Sequence, residues 1–282
     1  MGTTSFADAL AALVPPSGAD EPRWIRAIED IARLVLTRTV WHMGAKPHRF
    51  TEVEFYVNSP NHKDTFTHGD VMQTEFARWY HHRTGGEYRG GTYKGLDLAF
   101  GSEDTHAGML IRGVESIDDP SKIYDGPCVC VDHLLSLSGF GDVPSMVKGY
   151  DRDVSEKPGS PSYLTLTDER AHTIYRGPRV GLSLKRGASE PRVRYLSAPY
   201  RFLTEPSRIK KGRLNLVCGL HRQGVSADEI ARLTGSKLTQ VKSYIEQYDA
   251  GRDKDPKDYR GDLSTDQTCQ LFGACERFAP SA

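Results

Sequence analysis

The stretch Thr51–Val57 constrains the fold most, because its side-chain pattern suits a strand and defeats a helix. Val53, Phe55 and Val57 alternate with Glu52, Glu54 and Tyr56, the period of two that a half-buried strand imposes. Glu54 and Tyr56 therefore share one face, a carboxylate beside a flat ring. A wall of that kind holds a planar base and activates a water next to it. Alternating Glu also arises on any solvated strand face, so the rest of the chain decides between the two.

A chain of 282 residues suffices for one large domain or one domain with an appendage. No apolar run approaches the ~20 residues that span a bilayer, and Met1–Val14 lacks the basic start and long apolar core of a secretory leader. Five cysteines without regular spacing form no disulfide framework, so a reducing cytoplasm is the expected setting. Formal net charge is zero, but its distribution is uneven. Arg170–Arg213 holds twelve Lys and Arg, including Arg179, Arg201, Lys210 and Lys211, against Glu190 and Glu205 alone. Such asymmetry is the footprint of a polyanion-binding face. DNA is thus the expected partner, and no membrane or obligate protein partner is indicated.

The expected organisation is an N-terminal helix and linker (1–19), a main domain (20–206), a small helical domain (207–252) and a polar tail (253–282). Asp20 and Pro22 open a helix with Trp24, Ile25, Ile28, Ile31 and Val35 at helical spacing. Residues 58–91 are irregular and rich in His, Gly, Tyr and Thr, the composition of a functional loop. Strands are expected at 96–100, 109–114, 163–166, 179–184 and 200–203, and a helix follows Gly126-Pro127. Ser226-Ala227-Asp228-Glu229 reads as a capping box, and Gly235-Ser236 as the turn before a last helix over 237–249. Three short helices with a glycine turn before the last match a helix-turn-helix, which would present Gln240 and Lys242 to DNA.

Read in order, several short motifs resemble the alkyladenine (3-methyladenine) DNA glycosylase family over about Ile31–Leu203. Glu52-Val53-Glu54-Phe55-Tyr56 is similar to its Glu-x-Glu-x-Tyr motif, and Leu110-Ile111-Arg112-Gly113-Val114-Glu115 to its strand ending Arg-x-x-Glu. Gly126-Pro127-Cys128 resembles its Gly-Pro helix start, Pro178–Leu182 and Pro199–Phe202 its Pro-Arg-Ile-Gly-Ile and Pro-Trp-Arg-Phe strands. Each is weak alone; their shared order carries the resemblance. It implies a monofunctional glycosylase, without cofactor or metal, that extrudes a base from double-stranded DNA and hydrolyses its N-glycosidic bond. Glu54 would be the general base and Arg112 would orient water and carboxylate. Tyr56 would stack on the base, His68 (or His62) would line its pocket, and Tyr93 would be the wedge that fills the vacated stack.

One departure bears on substrate. Where the family carries a second stacking aromatic, three residues before the wedge, this chain has Gly90 followed by Gly91. Two glycines remove one wall of the aromatic sandwich and open the pocket. Together with the polar run Trp79-Tyr80-His81-His82-Arg83, this points to an enlarged base, for instance a sugar-decorated pyrimidine of viral DNA, with alkylated or deaminated purines as the other candidates.

Rival chemistries are a metal enzyme, disfavoured because no Cys-x-x-Cys, His-Glu-x-x-His or His-x-Glu signature occurs, and a lysine Schiff-base lyase using Lys46, Lys63 or Lys94. A different function class is a DNA-binding regulator that uses the helix-turn-helix and a non-catalytic main domain. The expected architecture is α+β: a curved, mostly antiparallel β-sheet flanked by helices, plus the small C-terminal helical domain.

Overall fold

The computed structural model describes residues 4–280. Its architecture is α+β, with a mostly antiparallel sheet, flanking helices and a helical C-terminal part. Two compact units divide the chain: one runs up to Lys63 and adds Thr67–Ile174, the other joins Asp64–Phe66 to Tyr175 onward. The division expected after residue 206 thus lies between Ile174 and Tyr175. No helix among the described residues is long and apolar enough to cross a membrane.

In the first unit, α1 (Phe6–Ala11) and α2 (Glu21–Arg38) come first. The Asp20 carboxylate caps α2 by accepting from the Arg23 amide at 3.0 Å, and Pro22 fits the first turn, where no amide partner is needed. Trp24, Ile25, Ile28, Ile31 and Val35 are all buried. A hairpin, β5 (Arg83–Thr84) and β6 (Glu87–Tyr88), stands by itself, and the sheet is built from β1 (Thr39–Met43), β2 (Lys46–Ser59), the short β3 (His62–Lys63), β4 (Phe76–His81), β7 (Leu96–Phe100), β8 (His106–Ser116), β9 (Ile123–Asp125) and, after α3 (Pro127–Ser138) and α4 (Val143–Gly149), β10 (Ser162–Leu166). Its main order is β10-β1-β2-β8-β7-β4, antiparallel at every step, with β5 and β6 paired apart from it.

The sheet has two unlike faces because side chains alternate. Val53, Phe55, Val57, Met109, Ile111, Leu98, Phe100 and Trp79 lie on one face, all fully buried. The register Glu54↔Leu110↔Asp97↔Tyr80 sets a row on the other face across four strands. A bulge interrupts β2 between Phe50 and Val53, and Gly113 makes room for it, since a Cβ there would lie 2.6 Å from Thr51 Oγ1. Strand β4 falls where the sequence pattern suggested loop. Its second row carries the polar groups of Arg78 and Tyr80, which hid the alternation, although Tyr80 is fully buried.

The second unit contains the antiparallel pair β11 (Tyr175–Gly177) and β12 (Arg201–Leu203), with α5 (Glu190–Leu196), α6 (Arg213–Arg222), α7 (Ala227–Thr234), α8 (Leu238–Gly251) and α9 (Thr265–Cys275). Helices α7 and α8 meet at Gly235, whose φ of 64° is the left-handed conformation glycine adopts freely. Leu203, Leu216, Val217, Leu220, Ile230 and Val241 form one core. A second core joins Leu196, Cys218, Tyr248, Cys269, Leu271 and Phe272. The segment expected as a polar tail therefore includes a packed helix, opened by a capping box of Ser264 and Gln267. The strand expected over 179–184 is absent; those residues form bends and irregular backbone.

Helices α8 and α9 approach through glycine. A Cβ on Gly273 would stand 2.0 Å from the Tyr248 carbonyl oxygen, and one on Gly251 2.0 Å from that of Gln270. Backbone cannot yield as a flexible side chain does. Gly273→Ala is expected to cost about 3 kcal/mol and to lower the melting temperature by about 5 °C or more, read by thermal denaturation.

Candidate active site

Strand β2 delivers Glu52, Glu54 and Tyr56 to the polar face, and β8 delivers Arg112 to the same face. Two carboxylates converge there on one guanidinium. Arg112 Nε lies 2.6 Å from Glu52 Oε1 and 3.3 Å from Glu54 Oε1, while the Tyr56 hydroxyl donates to Glu54 Oε2 at 2.9 Å. Glu54 is 0% exposed, Glu52 1% and Arg112 5%; Tyr56 keeps partial contact with solvent. Burial opposes the charge on Arg112, but Glu54 and then Glu52 outweigh it and raise the arginine pKa above its ordinary value. The expected association of Glu54, Arg112 and Tyr56 is therefore present, with one difference. Glu54 was expected on an open pocket wall and is instead enclosed.

A second polar cluster sits in the same row, two strands from Glu54. His82 Nε2 lies 2.6 Å from Asp97 Oδ1, and Gln73 Nε2 donates to Asp97 Oδ2 at 3.4 Å. Glycines seat the pair: a Cβ on Gly95 would be 2.4 Å from His82 Nδ1, and one on Gly108 2.6 Å from Asp97 Oδ2. The Tyr80 hydroxyl stands 3.4 Å from His68 Nδ1, and the His68 and His82 rings meet edge to face at 4.4 Å. Crowding of the His68 ring by protein and, second, the neighbouring His82 lower its pKa, a shift that its contact with solvent moderates. Of the two candidate histidines, His68 is the exposed one; His62 is buried with Nδ1 2.9 Å from the Val57 carbonyl oxygen. Asp97 was not anticipated. The signal was present in Leu96-Asp97-Leu98, an acid inside an apolar strand, and in two glycines within strand patterns.

Gly90, Gly91 and Tyr93 lie together in a single-turn helix and its cap, Gly90–Tyr93. Tyr93 is 79% exposed, and Gly91 holds a φ of 56° that other residues resist. Gly90 and Gly91 line a cleft of about 630 Å³; Glu54, Arg112 and Tyr56 do not. The turn is tied to α3 by the Cys128 thiol, 3.2 Å from the Gly91 carbonyl oxygen, and by Lys94–Asp132 at 2.6 Å. Helix α3 is itself fastened to the Glu54 cluster's strand, because the Gly126 amide donates to the Arg112 carbonyl at 2.7 Å.

In the second unit, two expected DNA contacts are corrected. Arg179 and Arg201 are both 0% exposed. Arg179 bonds both oxygens of Asp64, at 2.5 and 3.2 Å, and the Tyr195 carbonyl at 3.0 Å. Arg201 donates to the carbonyls of Gly212 (2.6 Å) and Lys211 (3.2 Å). Fully sequestered guanidiniums cannot meet phosphate, so both hold the fold. Lys210, Lys211, Gln240 and Lys242 are exposed, and Gln240 donates to the Tyr244 hydroxyl at 2.8 Å. Among the described residues, no group of three His, Cys, Asp or Glu side chains is set to hold a metal ion.

His81, on the apolar face of β4, adds a pH dependence. Burial first, then His82 and Arg152, push its pKa down to about 3. The unfolded chain takes a proton there near pH 6.5 and the folded protein does not, so acidification favours unfolding. Stability present above pH 6.5 is expected to fall by about 2 kcal/mol at pH 5. Urea denaturation at both pH values checks this, and His81→Gln should blunt the fall.

No protein-family model matches the chain. Over 202 residues it is 31% identical to "Uncharacterized protein L759" of Acanthamoeba polyphaga mimivirus, an alignment that covers 66% of this chain and 90% of the viral protein. The chain belongs to the L759 family. That kinship is one of sequence, and the L759 name carries no activity with it.

Proposed function

We propose that the chain is a monofunctional DNA N-glycosylase of the alkyladenine type, which draws a modified base out of duplex DNA and hydrolyses its bond to the sugar with a Glu54-activated water. The observation that carries this reading is the convergence of Glu52 and Glu54 on Arg112 with the Tyr56 hydroxyl on Glu54. Bringing two carboxylates together out of water is costly, and replacing such groups by apolar residues is often neutral or stabilising. Negative charge held in place is, in contrast, what an oxocarbenium-like sugar needs as its base departs. Arg112 fixes both carboxylates, and Tyr56 aligns the second oxygen of Glu54.

Other features support the reading. Tyr93 projects its ring into solvent from a short turn, as a wedge must before it enters a base stack. Helices α7 and α8, joined at Gly235 with Gln240 and Lys242 exposed, offer a helix-turn-helix-like surface for the duplex. The openness at Gly90 and Gly91 favours a base larger than an alkylated purine. Water attack leaves an intact strand with an abasic site. Alkali should therefore cut treated DNA only after incubation with the protein, and borohydride should trap no covalent adduct; trapping would transfer the chemistry to a lysine.

The enclosure of Glu54 favours a second reading, in which the cluster is structural and the chain is a DNA-binding regulator. Glu54→Gln separates the two: it stops base release in the first and leaves the biological effect intact in the second.

A further inference from the structure

The cleft beside Gly90 and Gly91 is larger than an aromatic base requires, and its walls are chemically mixed. At about 630 Å³ it falls within the ~300–1,000 Å³ of small-molecule clefts. Tyr88 and Phe140 offer aromatic surface, Asp132 and Asp142 carboxylates, Ser136 a hydroxyl, and Arg89 and Lys94 cations. Lys94 is already matched by Asp132 at 2.6 Å. Two carboxylates against two cations leave the walls without net charge, so the cleft does not select a phosphate dianion. A polyhydroxyl ligand fits better: hydroxyls donate to carboxylates and accept from Lys94, while the C–H face of a sugar ring lies against an aromatic ring.

Position agrees with chemistry. Gly126 is bonded to the Arg112 carbonyl, and Asp132 follows six residues along α3, about 9 Å at the helical rise. Helix α3 thus links the cleft to the strand that carries Arg112. On the opposite wall, Gly91 is tied to α3 through Cys128. Gly90 and Gly91 carry no side chain into the space; a Cβ at either would touch nothing within 4 Å.

We propose that this cleft is a subsite for a neutral carbohydrate carried on the excised base. The assignment rests on the glycosylase reading but is tested apart from it, through binding. Glu54→Gln protein is titrated with duplexes that differ only by a glucose on one 5-hydroxymethylcytosine. The glucose is expected to tighten binding by about tenfold, the worth of one or two satisfied hydrogen bonds. Ser136→Trp, which fills the cleft from α3, and Gly90→Tyr, which fills it from the facing turn, should each remove most of that gain. Melting curves identify any variant that fails to fold, and two variants from opposite walls guard against losing one. Equal affinity for both duplexes, or a gain that survives both fillings, overturns the subsite whether or not any base is released. A glucose-dependent gain lost on filling, with no base released by the wild-type protein, upholds the subsite and sinks the glycosylase reading alone.

Discussion

Glu54→Gln is expected to slow base release at least about 10²-fold in a single-turnover assay, the low end of what a positioned general base contributes. The substitution keeps size and shape. The amide oxygen still accepts from the Tyr56 hydroxyl, which now meets Glu54 Oε2 at 2.9 Å. What disappears is the ability to take a proton and the negative charge beside the sugar. Stability should change by about 1 kcal/mol or less, because Arg112 keeps Glu52 at 2.6 Å while a like charge is removed. A rate lost with the melting temperature retained assigns Glu54 to chemistry. A rate retained would make the Glu54–Arg112 contact an element of folding only.

The second large effect is on stability. Asp64→Ala is expected to cost about 3–5 kcal/mol, because it strands the Arg179 guanidinium in a site with no exposure. Arg179→Ala should cost a similar amount from the other side, and neither should alter the salt dependence of DNA affinity. That dependence follows cations that reach phosphate, and Lys210, Lys211 and Lys242 are exposed where Arg179 is not. Urea unfolding midpoints and DNA titrations over a salt series separate the two roles. An Arg179→Ala protein of unchanged stability but weaker, less salt-sensitive DNA binding would return Arg179 to the DNA surface.

Local patterns carried much of this fold. Alternation in Thr51–Val57 located β2 and the shared face of Glu54 and Tyr56, and Asp20 with Pro22 marked the start of α2. The Ser226 cap is half as expected: its hydroxyl accepts from the Glu229 amide at 3.3 Å, but the Glu229 carboxylate turns to Arg232. What local pattern could not supply was distance. The partner that buries Arg179 is Asp64, 115 positions away, so a basic segment looked like surface. The Asp97–His82 pair hid for the same reason, since each makes sense only once β4 and β7 are adjacent. The enclosure of Glu54 depends on what covers the polar face, and alternation reports only which face a residue takes. Helix α9 was missed because its first turn is polar, and its buried residues, Cys269 and Leu271–Cys275, crowd the C-terminal half instead of marking a periodic stripe.

Mass spectrometry of the free bases released from a panel of DNAs, natural, alkylated, deaminated and hypermodified, decides whether the chain is a glycosylase. One intact base in solution and an unbroken abasic strand behind it are expected from the wild-type protein, and neither product from Glu54→Gln. Release of no base from any DNA in the panel, or equal release by the wild-type and Glu54→Gln proteins, would contradict the glycosylase reading.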